Sequence, residues 1–165
     1  MKDERYNVFL ISSEGTDLAT AEESVEYSYD WALLPEGEYE MTFALSMKEN
    51  ILTVAQLANL DVAMIQVIGL NSYSSQSANK VWAGTNNSSQ VIGLVKLGSA
   101  YHYKDGTDTK IGAVQLIENE RNPPIRIRSV PQGKLIVNML KSDGTLASST
   151  DVQPYVLHLG FRRLF

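Results

Sequence analysis

Apolar and polar residues alternate along much of this chain. Val25, Tyr27, Tyr29 and Trp31 take every second place, with Glu26, Ser28 and Asp30 between them. That is the period of a strand with one buried face. Tyr39, Met41, Phe43, Leu45 and Met47 repeat it against Glu40, Thr42, Ala44 and Ser46. The last strand sets Tyr155, Leu157, Leu159 and Phe161 on one face and Val156, His158, Gly160 and Arg162 on the other. Leu135, Val137 and Met139 form another alternating set. Further strands are expected over Tyr6 to Ile11, Val62 to Ile68, Lys80 to Ala83, Val91 to Leu97, Ile111 to Ile117 and Ile125 to Val130. The one helical spacing, Ile51, Val54, Ala55 and Ala58, predicts a short helix within Asn50 to Asn59.

Turn chemistry separates these segments. Leu34-Pro35-Glu36-Gly37 and Val130-Pro131-Gln132-Gly133 carry Pro at the second and Gly at the fourth place of a type I turn, and each leads into an alternating strand. Asp105-Gly106 and Asp143-Gly144 are hairpin signals. Pro123-Pro124 marks a turn or a sheet edge, since neither residue donates to a ladder. Eight to ten short strands with almost no helical period describe an all-β fold, a sandwich or a barrel. In a sandwich, Tyr27, Tyr29, Trp31, Met41, Phe43, Leu45, Leu157, Leu159 and Phe161 are expected to be buried between two antiparallel sheets. A length of 165 residues suits one domain, 1–165, with an ordinary core.

Composition narrows the chemistry. The chain has no cysteine, which excludes a disulfide framework, a thiolate zinc site, an iron–sulfur cluster and a cysteine nucleophile. Its two histidines, His102 and His158, leave little for transition metals, and no cofactor or metal is expected. A net charge of -5 argues against specific or wholesale nucleic-acid binding. The charge is uneven: residues 1–82 hold four basic against thirteen acidic residues, net -9, and residues 83–165 hold ten against six, net +4. If the halves face apart, copies attract head to tail; if they interleave in the fold, the asymmetry vanishes.

The charged start, Met-Lys-Asp-Glu-Arg, and the brief apolar run Val8 to Ile11 do not make a signal peptide, so synthesis and retention in the host cytoplasm are expected. The sequons at Asn86 and Asn87 then mean little. Ile51 to Leu70 has the length of a membrane span but holds Gln56, Asn59, Asp61 and Gln66, and reads as core structure.

Catalytic patterns are generic. Glu38/Glu40 and Glu118/Glu120 share strand faces at a spacing that imitates a glycosidase acid and base, but any polar strand face offers that spacing. Asp105-Gly106-Thr107-Asp108-Thr109 resembles a fragment of a calcium loop without its later bidentate Glu, and reads as a surface turn. No Gly-x-Ser-x-Gly, Walker loop or dinucleotide fingerprint occurs, and no enzyme activity is expected. Tyr101, His102 and Tyr103 form a small aromatic group of the kind found at a core and its rim. Arg126 and Arg128 project together from Ile-Arg-Ile-Arg, and His158 and Arg162 share a face of the last strand. Both pairs suit acidic groups on a neighbouring chain. With the apolar residues Leu164 and Phe165, they are the candidate interface.

Three passages carry a family resemblance: Tyr6-Asn-Val-Phe-Leu-Ile-Ser-Ser13 with Gly15-Thr16 and Tyr27-Ser-Tyr-Asp-Trp31; Leu34-Pro-Glu-Gly-Glu-Tyr39 running into Thr42-Phe43; and the terminal Tyr155-Val-Leu-His-Leu-Gly-Phe161. Together they resemble the small jelly-roll capsid proteins, minor capsid or penton type, of large icosahedral DNA viruses and virophage-like elements. The resemblance implies a single jelly roll of about eight strands, no active site, and a place in the virion. There the chain would assemble as a homo-oligomer or with other capsid proteins, including a larger major capsid protein. The short chain suits a minor capsid role better than a penton with added arms. The competing expectation is a carbohydrate- or receptor-binding β-sandwich module, with Tyr73, Trp82, Tyr101 and Tyr103 as its candidate aromatics.

Overall fold

A computed structural model of the chain describes residues 4–47, 50–52, 62–70, 91–96, 102–105, 108–111, 114–117, 124–141, 143–152 and 154–164. The strands among them are β1 (Arg5–Ile11), β2 (Thr16–Asp17), β3 (Ser24–Tyr27), β4 (Tyr39–Met47), β5 (Asn50–Leu52), β6 (Val62–Ile68), β7 (Val91–Lys96), β8 (His102–Asp105), β9 (Asp108–Ile111), β10 (Val114–Ile117), β11 (Ile125–Ile127), β12 (Leu135–Leu140) and β13 (Tyr155–Arg163). Helical structure among the described residues is limited to single turns at Ser12–Glu14, Trp31–Leu33 and Ser149–Val152.

The strands build two five-stranded sheets. One runs β1-β13-β4-β10, with β11 also on β4; the other runs β2-β3-β12-β6-β7; a small sheet, β5-β9-β8, stands beside them. The pairings are antiparallel and nested: β1 with β13, β3 with β12, β4 with β10 and β11, β6 with β7. Each of these pairs has nearly the same midpoint along the chain. The chain is thus one long double ribbon wound into two facing sheets, and β1, β3, β4, β6, β7, β10, β12 and β13 are the eight strands of a jelly roll.

Burial follows the alternation. Across the first sheet, Val8 faces Leu159 and Phe43, and Leu10 faces Leu157 and Leu45. All six are buried and join Val25, Tyr27, Ile65, Val67, Val137 and Met139 of the second sheet in one cluster. At one end of this core the Tyr27 hydroxyl donates to Tyr155 Oη at 3.1 Å, and the Tyr155 backbone N–H donates to Ser12 Oγ at 2.9 Å. Burial pushes Tyr27 up to about 12 and Tyr155 higher still.

Several expectations are corrected. β3 stops at Tyr27 because the Asp30 side chain accepts the Ala32 N–H at 3.1 Å and starts a 3-10 turn instead. Trp31 opens that turn, yet it is buried, donating from Nε1 to the Gly133 carbonyl at 3.0 Å and meeting Phe161 edge-on. Tyr29 is only half-buried, packed against Trp31. The segment expected as a helix begins as a strand, since Asn50–Leu52 finds a ladder partner in β9; residues 53–61 lie outside the described set. Ile111 to Ile117 is two strands, β9 and β10, in different sheets. The strand expected from Ile125 to Val130 ends at Ile127, and the one at Lys80 to Ala83 lies outside the described residues. Around Asp143-Gly144 the chain turns back on itself, Asp143 accepting both the backbone N–H and the hydroxyl of Thr145, but only a single bridge, Leu140 with Leu146, follows. Asp105 and Asp108 pair across the β8–β9 hairpin, as the Asp105-Gly106 signal predicts.

Candidate functional site

The outward face of β1, β13 and β4 gathers the polar residues that the buried rows leave over. Register sets Arg5 beside Arg162, Arg162 beside Glu40, and Glu40 beside Arg126 of β11. The next outward row is Asn7, Gly160 and Thr42, and the one after it Phe9, His158 and Ala44. Gly160 has no side chain, and a Cβ there would stand 3.1 Å from Thr42 Oγ1. The result is a depression of about 410 Å³ edged by Arg5, Asn7, Glu40, Thr42, His158 and Arg162.

Among the described residues, Arg126, His158 and Arg162 each find a partner on this face. Arg162 Nη2 donates to Glu40, and Arg126 donates to Glu38 through Nε at 3.0 Å and through Nη2. His158 Nε2 donates to Asn7 Oδ1 at 2.8 Å, and its ring stacks on Phe9 at 4.7 Å and 14°. Burial holds His158 below the ordinary histidine value, so the ring favours its neutral form.

Of the candidate interface residues, Arg126, His158 and Arg162 come together on this face. Arg128 lies beyond β11 and edges a separate depression of about 500 Å³ with Glu36, Glu38 and Gln132. Leu164 is half-buried, and its N–H donates to the Glu38 carbonyl at 2.8 Å, continuing the β13–β4 ladder. Phe165 lies outside the described residues.

The charge asymmetry of the sequence takes a definite form here. Four ion pairs link described residues: Arg126–Glu38, Lys134–Glu26, Arg162–Glu40 and Arg163–Glu4. Each takes its acid from the first half and its base from the second. Nesting the ribbon lays the acidic half against the basic half strand by strand, so the halves interleave. Glu38 and Glu40, which share spacing with a glycosidase pair, are each held by an arginine of the other half. His102 and Tyr103 open β8, while Tyr101, Glu118 and Glu120 lie outside the described residues.

Phe9 is the residue the interface reasoning missed: 60% exposed, it is the large exposed apolar side chain among the described residues of this face. The signal was present, because inward Val8 and Leu10 force Asn7 and Phe9 outward. Among the described residues no helix is long and apolar enough to cross a membrane. Comparison with protein-family models, with curated proteins and with solved structures finds no match.

Proposed function

We propose that the chain is a structural protein of an icosahedral viral shell, a minor capsid component that bridges larger capsomers or closes a ring with its own copies. The observation that carries this reading is the strand order, β1-β13-β4-β10 facing β3-β12-β6-β7. This is the jelly-roll order in which many capsid walls are built. The step from fold to role is one of analogy, since jelly rolls also serve lectins and cupins. The three capsid-like passages of the sequence tip it toward the shell. The polar face bearing Arg126, His158 and Arg162, with Arg128 and Leu164 at its margin, is the surface offered to other copies or to a larger major capsid protein. Quantitative mass spectrometry of gradient-purified particles tests the role. A fixed ratio of this chain to the major capsid protein supports it, and particles free of the chain while the producing cells contain it refute it.

A second reading, a sugar-binding module, draws on the depression floored by Gly160. Its rim of Asn7, Thr42, His158 and the Arg162–Glu40 pair offers donors and acceptors to hydroxyl groups. Glycan-array binding that disappears in His158→Ala would favour this reading; a blank array removes it.

A further inference from the structure

Sheet edges invite other strands, and proteins blunt them with short strands, bulges, proline or charge. Three edges of the two main sheets are blunted here. β2 is two residues long, β10 shifts register against β4 and is succeeded by the three-residue β11, and β7 shifts register against β6 and contains Gly93. β1 differs. It runs seven residues in unbroken register with β13, contains no Pro, Gly or Lys, and has no strand on its other side among the described residues.

The direction of its free groups follows from the ladder. The Glu4 carbonyl accepts the Arg163 N–H at 3.0 Å, so the hydrogen-bonded pairs with β13 fall at Tyr6, Val8 and Leu10. The backbone N–H and C=O groups of Asn7, Phe9 and Ile11 therefore point away from the sheet. Asn7 is exposed, and Phe9 is 60% exposed.

We propose that β1 pairs antiparallel with β1 of a second copy about a two-fold axis, joining two sheets into one. The occupant is a second copy because the edge is complementary to itself. With Asn7 opposite Asn7, the outward N–H and C=O of each Asn7 meet those of the other, and the exposed Phe9 of each copy lies beside the pair. Main-chain bonds supply affinity and these side chains fix the register. The pairing belongs to the chain alone and holds whether or not it joins a shell.

The chain has no cysteine, so Asn7→Cys introduces a single thiol. In this register the two thiols face each other at about 5.5 Å between Cα atoms, within disulfide reach. Under mild oxidation Asn7→Cys is expected to form a covalent dimer, whereas Leu18→Cys, an exposed control at 49%, stays monomeric. In sedimentation velocity the unmodified chain is expected to dimerise with concentration, and Phe9→Lys to raise the dissociation constant about tenfold with the melting temperature kept. A chain that stays monomeric at all concentrations overturns the proposal. So does Asn7→Cys cross-linking no better than the control, or a dimer unchanged in folded Phe9→Lys.

Discussion

Phe43 sits in the middle of the inward rows, opposite Leu159 and 3% exposed. Both sheets close over it, so truncation leaves a cavity that the surrounding strands cannot collapse into. Phe43→Ala is expected to cost about 3–5 kcal/mol, a large share of a domain's stability, and an unchanged melting temperature would contradict the assignment. Tyr27 and Tyr155 give a pH dependence. Burial raises both above the ordinary tyrosine value of 10.0, Tyr27 to about 12, so the folded chain favours the protonated phenols. Their contribution is whole below pH 10 and is lost as pH rises through the folded values. The melting temperature is therefore expected to fall between pH 10 and 12. Tyr27→Phe forfeits the bond to Tyr155, about 0.5–1.5 kcal/mol at neutral pH, and should show a shallower alkaline fall. An alkaline limb identical in both proteins would contradict the account.

At the scale of the elements, period-two alternation was enough to place β4, β12 and β13 and to assign their inward faces, because one-sided burial imposes that period directly, whereas β1 was expected as a strand with no face assigned. What it missed was decided by partners. Asn50–Leu52 looks helical in isolation but becomes a strand against β9, and the aromatic alternation runs past Tyr27 only because it ignores the Asp30 cap. The site was half legible in the same way. That Arg162 points outward follows from its strand alone; that it meets Glu40 rather than another chain requires the strand order. The cross-strand pairs carry a modest energy, since their partners are partly solvated. A double-mutant cycle on Arg126→Ala and Glu38→Ala is expected to give a coupling of about 0–1 kcal/mol that shrinks with added salt. A coupling of several kcal/mol, insensitive to salt, would mean the pair is far less hydrated than this face allows.

For the whole molecule, the nested ribbon sets four acids of the first half against four bases of the second. Their charges are consumed in part by each other, and in the proposed role recognition of a neighbour would fall to the outward face and the edge of β1. Reversing Arg126 and Arg128 to Glu sets new acids near Glu36, Glu38 and Glu40. The fold is expected to survive with a melting temperature lowered by a few degrees, because exposed pairs contribute little. Incorporation into particles is expected to fall sharply. Normal incorporation would refute the basic-face interface, and unfolding would show that the arginines serve the fold instead. The most direct test of the central claim is an icosahedral reconstruction of purified particles. A jelly roll at a repeated position, with side-chain density matching Trp31, Tyr39, Phe43 and Phe161, is the predicted result; a complete shell with no density for this chain would contradict it.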